Sequence, residues 1–421
     1  MYLLYSALLA LAALVASPYF LYRALTTGKY WPSLKERLGF LPDRINPDGR
    51  PSIWVHAVSV GEVLTVRPFL PLLRESFPEL GLYVSSTTLT GKDLAERQLK
   101  GVDGVFYCPF DFRFAVERVV RRVRPRLLIL VETEIWPHLI RACHEAGARA
   151  MLVNGRISDR SFPRYLRARA LIRYFLSKID HFCMQNARYA ERIQALGAPS
   201  ASVTVTGSLK FDAAAVLPDS RALEILPKDR RILVAGSTMA PEEEILLDVF
   251  ETLAARRKEL LLVLAPRHPE RFDEVTELAR GRGLRVVRRS ELERVPDGAA
   301  VIVLDTMGEL ASVYGAGDVV FVGGSLAARG GHNILEPAAL ARPIVFGPHM
   351  ANFAEIAATF LEADAAVEVK GRDELEGALA QLLDRPERAR ELGERARLLV
   401  EEHRGASRRT IEIARRLLGA S

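Results

Sequence analysis

The hydrophobic pattern opens with residues 2–22, YLLYSALLALAALVASPYFLY, which carry no charge. As a helix this segment is long enough to cross a hydrocarbon core of about 30 Å, and tyrosines at both ends suit the membrane–water boundary. Beyond it, short runs rich in Val and Ile alternate with helical patterns. They lie at 53–60, 82–86, 127–131, 150–153 and 203–206, then at 232–235, 261–264, 301–304, 319–322 and 343–346. Runs so poor in polar residues, spaced by helices, predict parallel strands covered on both faces. The expected fold is therefore α/β, with two doubly wound, Rossmann-like domains that bind ligands beyond the carboxyl ends of their strands. The stretch 212–228 carries Pro218 and Pro227, loses strand character and is the expected linker. The pattern divides the chain into an anchor at 1–22, a first domain at 23–214, a second at 215–400 and a tail at 401–421. The last helix, at 410–418, is expected to return to the first domain.

Composition agrees with two domains, since 421 residues exceed what one core usually supports. Apolar content of 49% and charged content of 26% are those of a globular chain. Cys108, Cys143 and Cys183 are odd in number and lack metal-type spacing, which fits unpaired thiols in a reducing compartment. Arg23, Lys29, Lys35 and Arg37 follow the apolar segment and no basic side chain precedes it. The positive-inside bias then puts a single crossing at the N-terminus and everything after Arg23 in the cytoplasm. A cleaved signal peptide would carry its charges first, and a buried core helix is the third option.

The net charge of +6 is unevenly spread. One arginine group, from Arg113 to Arg126, reads as a solvated helical face. Another, Arg156, Arg160, Arg164, Arg167, Arg169, Arg173 and Lys178, is laced with aromatic residues and suits an anionic membrane surface or a phosphorylated lipid. Nucleic acid is not expected as a partner, because no helix-turn-helix, zinc or RNP pattern accompanies the arginines.

Candidate chemistry sits just after the strands. Glu62, in SVGE, is either a general base for an acceptor hydroxyl or a helix-start residue complementing the dipole. Glu132 and Glu134 share the ETEIWP loop, where two carboxylates can tune each other or simply start a helix. Lys210, in GSLKFD, is placed to meet a carboxylate or phosphate. In the second half, Ser237 and Thr238 precede a capped helix at Glu242, and Pro266, Arg267 and His268 form a stiff turn with a cation suited to phosphate. Thr306, Met307, Gly308 and Glu309 follow another strand. The stretch from Gly323, Gly324 and Ser325 to His332, Asn333, Ile334, Leu335 and Glu336 offers open amides for phosphate and an acid for ribose hydroxyls. It is neither a GxGxxG fingerprint nor a Walker loop, which argues against dehydrogenases and P-loop NTPases. His268, His332 and His349 lie in these loops; His56, His138, His144, His181 and His403 read as structural or surface residues.

Taken together, HAVSVGE (56–62), PFDF (109–112), ETEIWP (132–137), NGRISDRS (154–161), GSLKFD (207–212), APRHPERF (265–272), DTMGEL (305–310) and FVGGSLAARGGHNILEPAA (321–339) resemble the Kdo transferases, the 3-deoxy-D-manno-octulosonic acid transferases of lipopolysaccharide biosynthesis. The motifs run nearly the whole chain in family order. The resemblance implies a glycosyltransferase B-type fold, two Rossmann-like domains facing across a cleft behind an N-terminal membrane anchor. It implies CMP-Kdo as donor, a lipid A precursor (lipid IVA) as acceptor, inner-membrane lipids as neighbours, and an inverting reaction with no metal or cofactor. Glu62 maps to the proton acceptor, and Glu132 and Lys210 to transition-state support. Pro266, Arg267, Met307, Gly308, Glu309, Asn333, Ile334, Leu335 and Glu336 map to CMP contacts. Ser237, Thr238, His268, Gly324, Ser325 and His332 are further donor-side candidates. A sugar-nucleotide epimerase of the same fold and a non-catalytic, membrane-attached nucleotide-binding protein are the competing readings.

Overall fold

Each apolar run named above becomes a strand in a computed structural model of the chain, which describes residues 1–27, 31–214 and 221–419. Lys29 and the centre of the expected linker, 215–220, lie outside the described residues. The strands are β1 (Ser52–His56), β2 (Gly81–Ser86), β3 (Gly104–Tyr107), β4 (Pro125–Val131), β5 (Arg149–Gly155), β6 (His181–Met184) and β7 (Val203–Val205). In the second half they are β8 (Arg231–Thr238), β9 (Leu260–Pro266), β10 (Val286–Arg288), β11 (Val301–Val303), β12 (Val319–Val322), β13 (Ile344–Phe346) and β14 (Val367–Glu368). The first run ends at His56 rather than residue 60, because Ser59 caps the helix Val60–Val66.

The chain forms two units, Met1–Ala213 with Arg404–Ser421, and Ala214–His403. Each holds one seven-stranded sheet, ordered β3-β2-β1-β4-β5-β6-β7 in the first and β10-β11-β9-β8-β12-β13-β14 in the second. The pairings along both sheets are parallel. Chain order reverses between β1 and β4 in the first unit and between β8 and β12 in the second, and such switch points open crevices at the carboxyl ends of the strands.

Both faces of the first sheet are covered. Val116, Leu139, Leu176 and Ile193 pack on one side. On the other, Val63, Phe69 and Leu73 are joined by Ile411, Ile413 and Ala414 of the final helix, Ala406–Leu418. Burying Ile411 and Ile413 contributes about 2 kcal/mol each, which ties the C-terminal segment to this unit. In the second unit Leu233, Leu246, Phe250, Leu262 and Phe321 form the corresponding core.

The N-terminal helix, Tyr2–Thr27, is long and apolar enough over Tyr2–Tyr19 to cross a membrane. Its first turn is docked on the first unit: the Tyr5 hydroxyl donates to Asp111 (2.8 Å) and Ser6 hydrogen-bonds His138 Nε2 (2.9 Å). The first arginine group is the solvated face that its sequence suggests, with Arg113, Arg118, Arg121, Arg124 and Arg126 exposed and Arg122 half-buried, and it makes local contacts as well. Arg118, Arg122 and Arg124 donate to the carbonyls of Leu38, Ile45, Asp43 and Gly49, so they staple an irregular segment in place.

Candidate active site

Three loops converge beside the switch point of the first sheet. The loop after β1 carries Glu62, 8% exposed, at the start of Val60–Val66. Val58 N–H donates to its Oε2 (2.8 Å) and the Ser59 hydroxyl to its Oε1 (3.0 Å). Two donors do not offset the lost hydration, and burial, with Glu132 and Glu134 adding negative charge, pushes the carboxyl from 4.5 up to about 7.

The loop after β4 begins at Glu132, held at φ 59 with its N–H on Val153 O (2.9 Å). A left-handed glutamate is uncommon and turns the chain sharply off the strand. Its carboxylate lies 3.5 Å from the Arg156 guanidinium, and the Thr133 hydroxyl bonds Arg156 O. Glu134 accepts from Trp136 Nε1 (2.9 Å), and burial raises its carboxyl above the ordinary range. Trp136 packs edge-on against His56, which is fully buried and whose ring burial pushes down to about 4; His56 is a structural residue.

Lys210 lies on the short helix Leu209–Ala214, whose Leu209 N–H donates to the buried Asn154 side chain (3.0 Å). Burial pulls the Lys210 ammonium below its usual value, while Glu132 and Glu62 pull it back and Arg156 opposes them. Glu62, Glu132 and Lys210, far apart in sequence, thus sense one another's charge. Asn154 carried no assigned role in the sequence, and Arg156, read there as one of a lipid-facing group of arginines, pairs with Glu132 instead. The signal available was their place in NGRISDRS, directly after β5 like the other functional loops after their strands.

In the second unit, Ser237 at φ 56 and the buried Thr238 end β8. Gly236 is required there, since a Cβ would stand 2.1 Å from the Tyr314 hydroxyl. Pro266 is buried and Arg267 and His268 are exposed, with Arg267 N–H bonded to Thr238 O (3.0 Å). Glu309 is held by Arg289 (2.9 Å) and the Thr306 hydroxyl, and Met307 projects at 68% exposure beside Gly308. Asn333 donates to Glu336 Oε1 (3.1 Å) and caps Leu335 N–H (3.1 Å). Ile334 and Leu335, by contrast, are fully buried, backbone included, and the Leu335 N–H is already taken by Asn333. Burial, then the nearby Arg267 and His268, pushes the His332 imidazole down to about 4, so it is neutral at physiological pH. A short helix, Leu335–Ala339, starts just beyond Asn333 and carries Glu336 in its first turn. The amides of Gly324 and Ser325, expected to face phosphate, donate instead to the buried Glu242 carboxylate.

A family model described as 3-deoxy-D-manno-octulosonic-acid transferase (kdotransferase) matches residues 32–213. The chain is 35% identical to a 3-deoxy-D-manno-octulosonic acid transferase of Haemophilus influenzae, covering 91% of each chain. It is 31% identical to the protein of that name from Chlamydophila psittaci, over 99% of this chain and 96% of that one. Among solved structures, a glycosyltransferase from Rickettsia africae aligns at TM-score 0.56 and 12% identity, over 89% of this chain and all of the other. The UDP-GlcNAc 2-epimerase of Neisseria meningitidis aligns at 0.57 and 12%, over 83% and 98%. At such identity these two neighbours speak for the fold alone.

Proposed function

The chain belongs to the Kdo transferase family and is a glycosyltransferase, and from that premise we propose that it moves Kdo from CMP-Kdo onto a lipid A precursor, with inversion and without a metal, Glu62 acting as general base. The fold, glycosyltransferase B-type, is the one that the motifs imply. Glu62 takes the proton of the acceptor hydroxyl as its oxygen attacks the anomeric carbon of Kdo. The bond from that carbon to the phosphate oxygen breaks, and CMP leaves with the electron pair. The observation that carries the reading is the environment of Glu62: a nearly buried carboxylate at a sheet switch point, raised to about 7, is suited to accept a proton near neutrality.

Lys210 supplies positive charge beside it, and Glu132, paired with Arg156, holds that charge in place. The second unit supplies the donor contacts: Pro266 and Arg267 toward phosphate, Met307, Gly308 and Glu309, and the segment from Asn333 to Glu336 toward the nucleoside. The N-terminal helix anchors the enzyme at the cytoplasmic face of the inner membrane, where a lipid acceptor arrives, and the product serves lipopolysaccharide synthesis. The epimerase reading loses its ground, because its structural neighbours share 12% identity while the transferases share 31–35%.

Purified protein incubated with CMP-Kdo and a lipid A precursor should give a lipid heavier by Kdo in the mass spectrum. Glu62→Gln should keep CMP affinity and lose about a thousandfold in turnover, the scale of general-base catalysis. Release of CMP with no change in lipid mass would sink the acceptor assignment, and a Gln variant turning over at the wild-type rate would sink the base.

A further inference from the structure

The loops that meet at the switch point of the second sheet are joined by a side chain with no part in the reading above. Glu242 opens the helix Glu242–Arg256, is fully buried, and accepts from five backbone N–H groups. Its Oε1 takes Ser325 (2.9 Å), Leu326 (2.8 Å) and Ala327 (3.1 Å). Its Oε2 takes Gly324 (2.7 Å) and Met239 (2.9 Å). Amides converging on one anion are what phosphate-binding loops present to a ligand. Here the anion belongs to the chain.

The surrounding loop is built to this carboxylate. At Gly323 a Cβ would stand 2.9 Å from Glu242 Oε2 and 2.6 Å from Ser237 O, so a side chain is excluded. The loop then passes its position on. Ser325 O accepts from His349 N (2.9 Å), Ser325 Oγ from Gly347 N (2.8 Å), and Gly324 O from Gly331 N (2.8 Å). The last of these closes the turn that delivers His332, Asn333 and Glu336.

We propose that Glu242 is a positioning residue of the donor site, a built-in anion that holds the loop 323–331 so that Asn333 and Glu336 meet the nucleotide. By taking the switch-point amides it leaves the donor phosphate to be met by exposed groups such as Arg267. The inference rests on the donor reading above and adds a residue that touches no ligand.

Hydrogen exchange in the wild-type protein tests it directly. The amides of residues 324–327 should exchange slowly before any nucleotide is added and gain nothing selective at saturating CMP, while residues 306–309 and 333–336 gain protection. Selective slowing of 324–327 by CMP would overturn the proposal, because those amides would then be serving the ligand. A wild-type protein without CMP affinity would instead sink the donor reading.

Glu242→Gln keeps one acceptor oxygen, without its charge, and turns the other into an NH2 that faces N–H groups in need of an acceptor. The loss of charge-assisted hydrogen bonds should raise the KM for CMP-Kdo about tenfold or more and leave the acceptor KM within about twofold. A residue that merely supports folding would lower the active fraction, hence kcat, and leave both KM values alone. Should that variant not fold, Gly323→Ala displaces the same loop with the carboxylate kept and should give the same donor-specific change. A wild-type donor KM in either variant would overturn the proposal.

Discussion

Glu62 owes its proton affinity to a shortage of water and of hydrogen-bond donors, and this has two consequences of opposite sign. Transfer needs the ionised carboxylate, so turnover should climb as pH rises through about 7 and level off above it. Stability should move the other way. The folded protein keeps a proton on Glu62 up to about pH 7, whereas the unfolded chain releases it near 4.5, so the folded state binds more protons in that window and loses stability as pH rises. Glu62→Gln removes the cost of an ionised, dehydrated group. It should exceed wild type in unfolding free energy by roughly 2 kcal/mol at pH 8 and by little at pH 4. Calorimetric melts showing the same difference at both pH values would mean that this carboxylate is as hydrated as a surface one. The change that abolishes turnover is therefore expected to stabilise the fold, as strained functional groups commonly do when removed.

The helix that carries Lys210, Leu209–Ala214, is too short to hold its own shape and is fixed from outside. Asn154 caps its start, and Asp212 accepts from Gly405 N (2.7 Å) and Ser407 N (2.6 Å). Asp212 thereby caps the helix Ala406–Leu418, whose own N-cap, Gly405, has no side chain to do so. Asp212→Ala strands two N–H groups and should cost about 1–3 kcal/mol in a denaturant titration. Turnover should fall with CMP affinity unchanged, since Lys210 loses its footing; an unaltered midpoint and rate would dismiss the clasp. Elements of this kind divide what the sequence reveals from what it hides. Central strands such as β4 and β8 were legible because both faces are buried and the apolar run is continuous. The strands β10 and β14 lie at sheet edges, are two or three residues long and partly exposed, and leave no such run. The loops bearing Glu62, Glu132 and Lys210 were legible from motif and strand end. The Asp212 clasp, spanning 193 positions to Gly405, and the capture of the glycine-loop amides by Glu242 were not, because long-range pairing leaves no periodicity.

At the scale of the whole molecule, the placement of basic residues led to a single crossing with the first residues on the far side of the bilayer. The docked first turn argues for another arrangement. Tyr2 packs against His138, Tyr174 and Phe175, and Tyr5 and Ser6 hydrogen-bond Asp111 and His138, all in the unit that follows the helix. A helix whose first turn is held by the unit that follows it cannot also leave that turn across about 30 Å of hydrocarbon. Leu3, Leu8, Leu11, Leu14 and Val15 remain exposed along it and can meet acyl chains in either arrangement. Arg164, Arg167 and Arg169, exposed in the same unit, supply charge for anionic headgroups. An epitope fused ahead of Met1 should therefore stay hidden from antibody in intact spheroplasts and become accessible once they are opened, the outcome for a start on the cytoplasmic side. Binding to intact spheroplasts would show that the Tyr5–Asp111 contact gives way in the bilayer and that the helix crosses it. Asp111→Ala in the tagged protein separates cause from coincidence: if the docked turn holds the helix in plane, losing the acceptor of the Tyr5 hydroxyl should raise the fraction of epitope reached from outside.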